Sequence, residues 1–246
     1  MINTEMNLRI FNTTHEELCS QKHHIFIGIS VGVKPMSRDM AISYLEWALQ
    51  YSTGIVQILI ADAITHFNYL VFSHSTKPGA LSRAIRDGDK YQEFFEKILA
   101  EFDAVKRCRF RIIRWKDIQS PRFQMLLKKA EEEFATNASF REVILSFVDK
   151  YVENRNRVLT HEKKLLLSQY LLHEFPTLLD GIYVNGVHYN LILYPAYKHS
   201  GMSELVAAIQ NGNRFASLIK GFDLKKTIMV ESIIEHRVSD INSILK

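Results

Sequence analysis

The sequence predicts an α/β fold in which helices cover both faces of a mainly parallel sheet. Three observations carry this prediction. Short apolar segments of strand length recur along the chain, helical segments separate them, and Ser30, Asp62 and Tyr194 stand at or directly after strand ends. Strands that alternate with helices favour parallel pairing with both sheet faces buried. Ligands bind beyond the carboxyl ends of such strands, so we expect a functional site there.

Apolar periodicity places the predicted elements in order along the chain. Continuous apolar segments indicate buried strands, and apolar residues at three- and four-residue spacing indicate helices. Asn185-Gly186 is a strong hairpin signal. The predicted strands are residues 25–32, 55–61, 107–115, 189–194 and 227–231. The predicted helices are residues 40–51, 78–105, 121–136, 138–157, 160–175 and 202–212, with a closing helix after the last strand.

Length and composition predict one globular domain over residues 1–246, with flexibility expected only in residues 1–22. The chain has 31 Lys and Arg against 27 Asp and Glu, a net charge of +4. This excess permits an anionic partner such as nucleic acid without demanding one. Two cysteines are too few for a disulfide framework and favour a reducing cytoplasm. We expect a monomer with no membrane span, metal or cofactor.

The first predicted strand leads into Gly28-Ile29-Ser30-Val31-Gly32, a literal G-x-S-x-G. In an α/β-hydrolase this motif is a strained turn, and a helix begins directly after the serine. Here Lys34 precedes Pro35, and the residue before a proline disfavours helical dihedrals, so no helix can start within the turn. The match is therefore interpreted as accidental, and a serine hydrolase is kept only as an alternative.

A second group of polar residues lies in the predicted helix 160–175. Tyr170 and Glu174 are four residues apart, so they share a helix face and can both reach one small ligand. Pro176 predicts a helix end just after Glu174. A carboxylate there opposes the helix dipole by about 0.3–1 kcal/mol, which indicates functional use. A solvated surface acid explains Glu174 equally well on these grounds.

Together, Gly28-Ile29-Ser30, Tyr170-x-x-x-Glu174 with Pro176, and Tyr194-Pro195 after an apolar segment resemble the cyclodipeptide synthases. These enzymes make diketopiperazines from two aminoacyl-tRNAs. The resemblance covers nearly the whole chain in length and element order. It implies a Rossmann-like fold similar to the catalytic domain of class I tyrosyl- and tryptophanyl-tRNA synthetases. A non-catalytic tRNA-binding module on such a scaffold is the main alternative.

The resemblance also implies roles for individual residues. Ser30 matches the nucleophile that receives the first aminoacyl group and later carries the dipeptidyl group. Tyr170 and Glu174 match the pair that holds the α-amino group, and Tyr194 matches a tyrosine of the catalytic pocket. Further substrate contacts are expected near that pocket, at Gly28, Val33, Asp62 and Pro195. Val33 and Tyr194-Pro195 resemble the family branch that lacks an Asn after the nucleophile and has Tyr-Pro in the late strand.

Two basic segments are candidates for the tRNA surface. The family uses a basic helix to hold tRNA, and the residues that match it here share one helical face: Arg83, Arg86, Lys90 and Lys97. Glu93 lies on the same face, so an ordinary solvated helix is the alternative. Arg107, Arg109 and Arg111 alternate along a predicted strand, and their alternative interpretation is an edge strand protected by charge.

Overall fold

A six-stranded sheet organises the molecule in the computed structural model, which describes residues 7–32, 36–73, 75–196 and 201–233. The strands of this sheet are β1 (Asn7–Phe11), β2 (Ile25–Ser30), β3 (Val56–Ala61), β4 (Phe110–Arg114), β7 (Leu191–Ala196) and β8 (Ile228–Ile233). A separate hairpin contains β5 (Ile182–Val184) and β6 (Val187–Tyr189). The order in the main sheet is β1-β8-β7-β2-β3-β4, and only β1 runs antiparallel to its neighbour.

Helices connect the strands and cover the sheet. They are α1 (His15–Ser20), α2 (Arg38–Tyr51), α3 (His66–Phe72), α4 (Lys77–Ala100), α5 (Ala104–Arg107), α6 (Pro121–Thr136), α7 (Ala138–Glu153), α8 (His161–Asp180) and α9 (Met202–Gln210). Short 3₁₀ helices occupy Ala63–Thr65, Trp115–Ile118 and Ala216–Leu218. Most of the long helices are capped at the N-terminus by a polar side chain that accepts a backbone N–H, as Ser37 does for α2 and Thr160 for α8. No helix within the described ranges is long and apolar enough to cross a membrane.

Each face of the sheet lies against its own apolar core. Along β2, Phe26 belongs to a core shared with α6, α7, α8 and α9, whereas Ile27 belongs to a core shared with α2 and α4. Successive strand residues point to opposite faces, which is why the central strands are apolar without interruption. The mainly parallel sheet with helices on both faces confirms the predicted fold class.

The segment before β2 contains ordered elements from Asn7 onward. β1 pairs with β8, and α1 begins at a capping box formed by Thr14 and Glu17. The predicted flexibility covers residues 1–22, and β1 is not predicted because a five-residue strand whose partner lies at the other end of the chain gives a weak local pattern. The predicted closing helix lies outside the described residues.

Helix α8 corrects one prediction that bears on the candidate site. It does not end before Pro176 but continues to Asp180, and Gly181 follows with a φ of 65°. All residues from Glu174 to Asp180 are buried, so apolar packing outweighs the cost of a proline inside a helix. The dipole argument for Glu174 was therefore wrong, because this carboxyl lies inside the helix and not at its end.

The structure also tests the predictions of a hairpin at Asn185-Gly186 and of a basic strand at residues 107–115. Asn185 and Gly186 both have positive φ, 50° and 78°, and join β5 to β6 as the hairpin signal predicted. The basic strand begins only at Phe110, because the preceding residues form α5. β4 is an edge strand, in agreement with the structural interpretation of its alternating arginines.

Candidate active site

Ser30 and Tyr194 meet at the carboxyl ends of two neighbouring parallel strands. The Ser30 Oγ lies 2.9 Å from the Tyr194 hydroxyl oxygen, a hydrogen bond in which either group can donate. Gly28 makes this contact sterically feasible. A Cβ at Gly28 would lie 3.3 Å from Cδ2 of Tyr194, so only glycine lets the ring rest on β2 without displacement.

Helix α8 brings Tyr170 and Glu174 to the same point. Tyr170 lies close enough to Ser30, and Glu174 close enough to Tyr194, for each pair of side chains to interact. Their four-residue spacing places both on one face of α8, as the sequence indicated. Four polar side chains from β2, β7 and α8 thus form one network around the Ser30 hydroxyl.

Burial controls the protonation of this network. Burial raises the pKa of Glu174 to about 7, while its hydrogen bond with Tyr194 acts in the opposite direction. Burial also raises the pKa of Tyr170 and of Tyr194, and the nearby Glu174 charge adds to the effect. Both phenols therefore stay protonated near neutral pH and can donate. Glu174 exchanges its proton in the same pH range, as a general base should.

An apolar pocket extends from this network into the space between the sheet and α8. Including its opening to solvent, it measures about 300 Å³. Ser30, Glu174 and Tyr194 supply polar groups at one end. The apolar wall consists of Phe26, Leu59, Ala61, Trp115, Leu178 and Ile192. The arrangement places an apolar wall directly beside the reactive hydroxyl of Ser30.

The geometry around Ser30 differs from a hydrolase elbow. Ser30 is not among the described non-glycine residues with positive φ, and α2 begins only at Arg38. The turn after β2 is made by Gly32, whose φ is 81°. A serine hydrolase would also need a downstream Asp and His, for which the sequence offers Asp180 and His199. Arg122 binds the Asp180 carboxylate, and His199 lies outside the described residues.

The sequence that forms this site matches a known protein family. The family model described as cyclodipeptide synthase matches residues 7–215. The chain belongs to the cyclodipeptide synthase family. No curated protein sequence is a significant match to this member of the family.

Solved structures of cyclodipeptide synthases share the fold of this family member at low sequence identity. The enzyme from Bacillus thermoamylovorans is 17% identical with a TM-score of 0.69, over 93% of this chain and 97% of that one. A Mycobacterium tuberculosis protein, whose structure relates cyclodipeptide synthetases to type I tRNA synthetases, is 16% identical with a TM-score of 0.67, over 92% and 91% of the two chains. The synthase from Candidatus Glomeribacter gigasporarum, solved with Phe-tRNAPhe, is 17% identical with a TM-score of 0.59, over 86% and 88%.

Of the other predicted substrate contacts, Gly28 lines the pocket, whereas Asp62 and Pro195 do not. Asp62 is 2% exposed and binds the Arg114 guanidinium at 2.7 Å and the Trp115 backbone N–H at 3.2 Å. Its role in substrate binding stays a prediction, and these bonds argue for a structural role. Pro195 is half-buried beside Tyr194 in β7 but does not line the pocket. Val33 lies outside the described residues.

Most residues of the apolar pocket wall are not among the predicted site residues, although two periodic patterns in the sequence indicate some of them. Phe26 lies two and four residues before Gly28 and Ser30, so all three share a strand face. On α8, Thr177 and Leu178 follow Tyr170 at helical spacing and share its face. No sequence pattern predicts that Trp115 lines the pocket. It follows β4, and the turn at the end of that strand determines where its side chain points.

The basic face of α4 is exposed but partly neutralised. Arg83, Arg86, Lys90 and Lys97 are all exposed along one side of the helix. Within this face Asp87 binds Lys90 at 2.6 Å and approaches Arg83 at 3.9 Å. Arg83 also lies over the Tyr69 ring, 4.3 Å from its centre. Arg86 and Lys97 are therefore the side chains on this face that are best placed to meet a phosphate.

The second basic segment serves the fold. The Arg109 guanidinium donates to the Ser52 side chain at 2.7 Å and to the Gly54 carbonyl at 3.1 Å, which ties the edge strand to the loop after α2. Arg111 donates to the neighbouring Phe110 carbonyl. These contacts favour the structural interpretation of this segment.

Proposed function

We propose that this chain makes a cyclodipeptide from two aminoacyl-tRNAs, with the growing product esterified to Ser30. One observation carries the proposal: the Ser30 Oγ lies 2.9 Å from the Tyr194 hydroxyl at the end of an apolar pocket, in a member of the cyclodipeptide synthase family. A nucleophile beside a proton-relaying group, next to a space for a side chain, suits acyl transfer.

In the first step, the Ser30 hydroxyl attacks the ester carbonyl of the first aminoacyl-tRNA. A carbon–oxygen bond to Ser30 forms and the bond to the tRNA ribose breaks. The serine proton ends on the ribose hydroxyl that leaves, and Tyr194 is placed to relay it. One ester replaces another, so the step requires no further energy source.

In the second step, the amine of the Ser30-bound group attacks the ester of the second aminoacyl-tRNA. Attack in the opposite sense, by the incoming amine on the Ser30 ester, would leave the dipeptide on tRNA and free the serine. The dipeptidyl ester then cyclises when its terminal amine attacks the Ser30 ester. Each of these two later steps exchanges an ester for an amide, and the last one restores the Ser30 hydroxyl.

Glu174 supplies the proton acceptor that these amine attacks require. An α-amino group has a reference pKa of about 7.7–8.0, so most of it is protonated and unreactive at neutral pH. A carboxylate whose pKa is about 7 can bind the ammonium form and then take its proton. Tyr170, on the same helix face, orients the amine.

The remaining substrate assignments follow from the surroundings of Ser30. The apolar wall favours an apolar first aminoacyl side chain. The exposed basic face of α4 is proposed to hold tRNA phosphates. Tyr194-Pro195 supports the Tyr-Pro branch of the family. A single domain over residues 1–246 and a monomeric state stay predictions.

Incubation of the purified chain with aminoacyl-tRNAs, followed by mass spectrometry, tests the proposal. A diketopiperazine from the wild-type chain and none from Ser30→Ala is the expected result. Undiminished product from Ser30→Ala would refute the role of Ser30. Binding of tRNA without any product would favour a non-catalytic tRNA-binding module.

A further inference from the structure

One buried polar atom on the pocket side of the sheet lacks a hydrogen-bond partner. Gln57 in β3 is 3% exposed, and its Nε2 donates to the Tyr189 hydroxyl at 2.9 Å. Its Oε1 has no partner among the residues that the structure describes. An unpaired buried carbonyl is costly, so each one in a native protein calls for an explanation. A ligand that brings a donor to this oxygen would provide one.

Strand register places Gln57 beside the innermost part of the pocket wall. Phe26 pairs in register with Gln57 on one side and with Ile192 on the other. Leu59 lies two residues further along β3 and so shares the face of Gln57. Phe26, Ile192 and Leu59 all line the pocket, and adjacent strands are only about 4.8 Å apart. Gln57 is therefore a direct neighbour of the innermost lining residues, although it is not itself part of the lining.

The amide offers an unpaired end in either orientation. Hydrogen bonds, and not shape, distinguish the oxygen and nitrogen of a glutamine amide. If the Gln57 amide were reversed, its oxygen would accept from Tyr189 and its nitrogen would be left unpaired. Either way, one end of the Gln57 amide is unpaired next to Phe26, while Phe26, Leu59 and Ile192 give the pocket wall itself an apolar surface.

We propose that Gln57 selects the first amino acid by hydrogen-bonding the polar tip of an aromatic side chain, so that Ser30 is loaded with a tyrosyl or tryptophanyl group. This inference rests on the proposed function of Ser30. The pocket lining runs from Ser30 to Phe26, four residues back along β2 on the same strand face, and it is apolar between them. Tyrosine and tryptophan combine an apolar ring with a hydroxyl or N–H that requires a partner when buried.

Phenylalanine is the analogue that isolates the contribution of Gln57. Its ring suits the apolar wall, but it leaves the Gln57 oxygen unpaired. A site that hydrogen-bonds a substrate group rejects the analogue without it, because the protein group then loses its partner. For the single bond available here, we expect a preference of about tenfold or more over phenylalanyl.

The test identifies the amino acid that Ser30 carries. The chain is mixed with total tRNA charged with all proteinogenic amino acids, and the mass of the intact acyl-enzyme is measured. A tyrosyl or tryptophanyl adduct should exceed the phenylalanyl adduct about tenfold or more in the wild type. In Gln57→Leu, which keeps the size of the side chain, the ratio should fall to about one.

Two further variants keep the result interpretable. Tyr189→Phe retains Gln57 and should retain the preference. The double variant Gln57→Leu/Tyr189→Phe leaves neither polar group unpaired, and its ratio should equal that of Gln57→Leu. A wild-type adduct that is mainly aliphatic or phenylalanyl, or a ratio unchanged in Gln57→Leu, would overturn the inference and leave the proposed function intact. The absence of any adduct would contradict the proposed function itself, and the inference with it.

Discussion

The Ser30 hydroxyl and the Tyr194 hydroxyl are hydrogen-bonded at 2.9 Å across the strands β2 and β7. These strands are parallel neighbours, so their carboxyl ends meet at one edge of the sheet. Parallel pairing thus brings together two residues that are far apart in sequence. Helix α8 then adds Glu174 and Tyr170, and the expected behaviour of the site follows from these four side chains.

Tyr194→Phe should slow the acylation of Ser30 by about 10²-fold, the lower end of the range for a lost proton-transfer group. The ring and its packing over Gly28 are retained, so the thermal midpoint should change little. Single-turnover transfer from aminoacyl-tRNA to the protein measures the rate. Tyr183→Phe, which alters a half-buried tyrosine in β5, should acylate at the wild-type rate. Equal rates for Tyr194→Phe and the wild type would exclude a relay through Tyr194.

Glu174→Gln should change how stability depends on pH. The folded-state pKa of Glu174 is about 7 against an ordinary value of 4.5, so the native state holds the proton more tightly than the unfolded state. Stability is then fully present below about pH 4.5 and is lost as pH rises towards about 7. At about 1.4 kcal/mol per pH unit, the loss approaches about 3 kcal/mol.

Denaturant unfolding of both proteins at about pH 5 and about pH 8 measures this difference. Other titrating groups are common to both, so they cancel in the comparison. The wild type should lose about 2.5 kcal/mol more than Glu174→Gln between the two conditions, because part of the loss has already occurred at about pH 5. The same pH dependence in both proteins would show that burial does not raise the pKa of Glu174.

Gly28→Ala should impair the site through Tyr194. The added Cβ would lie 3.3 Å from Cδ2 of the Tyr194 ring, so the ring must move by a few tenths of an ångström and its hydroxyl shifts relative to Ser30. We expect acylation to fall by roughly tenfold, since a small misplacement of reacting groups is costly. Gly54→Ala is the matched control, because its Cβ would meet no described atom within 4 Å. If both variants acylated at equal rates, the close packing of Tyr194 on Gly28 would have no part in catalysis.

Charge reversal on α4 should weaken the use of tRNA. Arg86→Glu with Lys97→Glu alters two exposed side chains and leaves the contacts of Asp87 with Arg83 and Lys90 in place. Each lost phosphate contact lowers affinity and reduces the dependence of binding on salt. We expect the KM for aminoacyl-tRNA to rise about tenfold or more and the salt slope to decrease.

Lys128→Glu reverses a charge on α6, where the side chain is 77% exposed, and it should leave KM unchanged. A similar rise in KM for this control would indicate a general charge effect. An unchanged KM in the α4 double variant would remove this helix from the tRNA surface.

Much of the sheet could be predicted from the sequence because its central strands are buried on both faces. Segments such as 55–61 are apolar without interruption, and that pattern needs no knowledge of the partner strand. β1 could not be found in this way, since its identity depends on pairing with β8. The predicted helix end before Pro176 was wrong for a related reason. Proline disfavours a helix locally, but burial of the following residues in the core keeps α8 helical to Asp180.

The residues of the candidate site were likewise predictable from the sequence, but their surroundings were not. Ser30, Tyr170, Glu174 and Tyr194 were found from motifs, and the structure brings them together. The reason first given for Glu174 was wrong, because burial and not a helix end sets its electrostatics. Asp62 stood at a strand end like Ser30, yet its partners Arg114 and the Trp115 backbone became visible only in three dimensions.

The mass of the intact protein after brief exposure to charged tRNA tests the central claim most directly. The wild type should gain the mass of one aminoacyl group, located on Ser30 by peptide mapping, and Ser30→Ala should gain none. Diketopiperazine formation without an adduct on Ser30, or an equal adduct in Ser30→Ala, would contradict covalent catalysis at this serine.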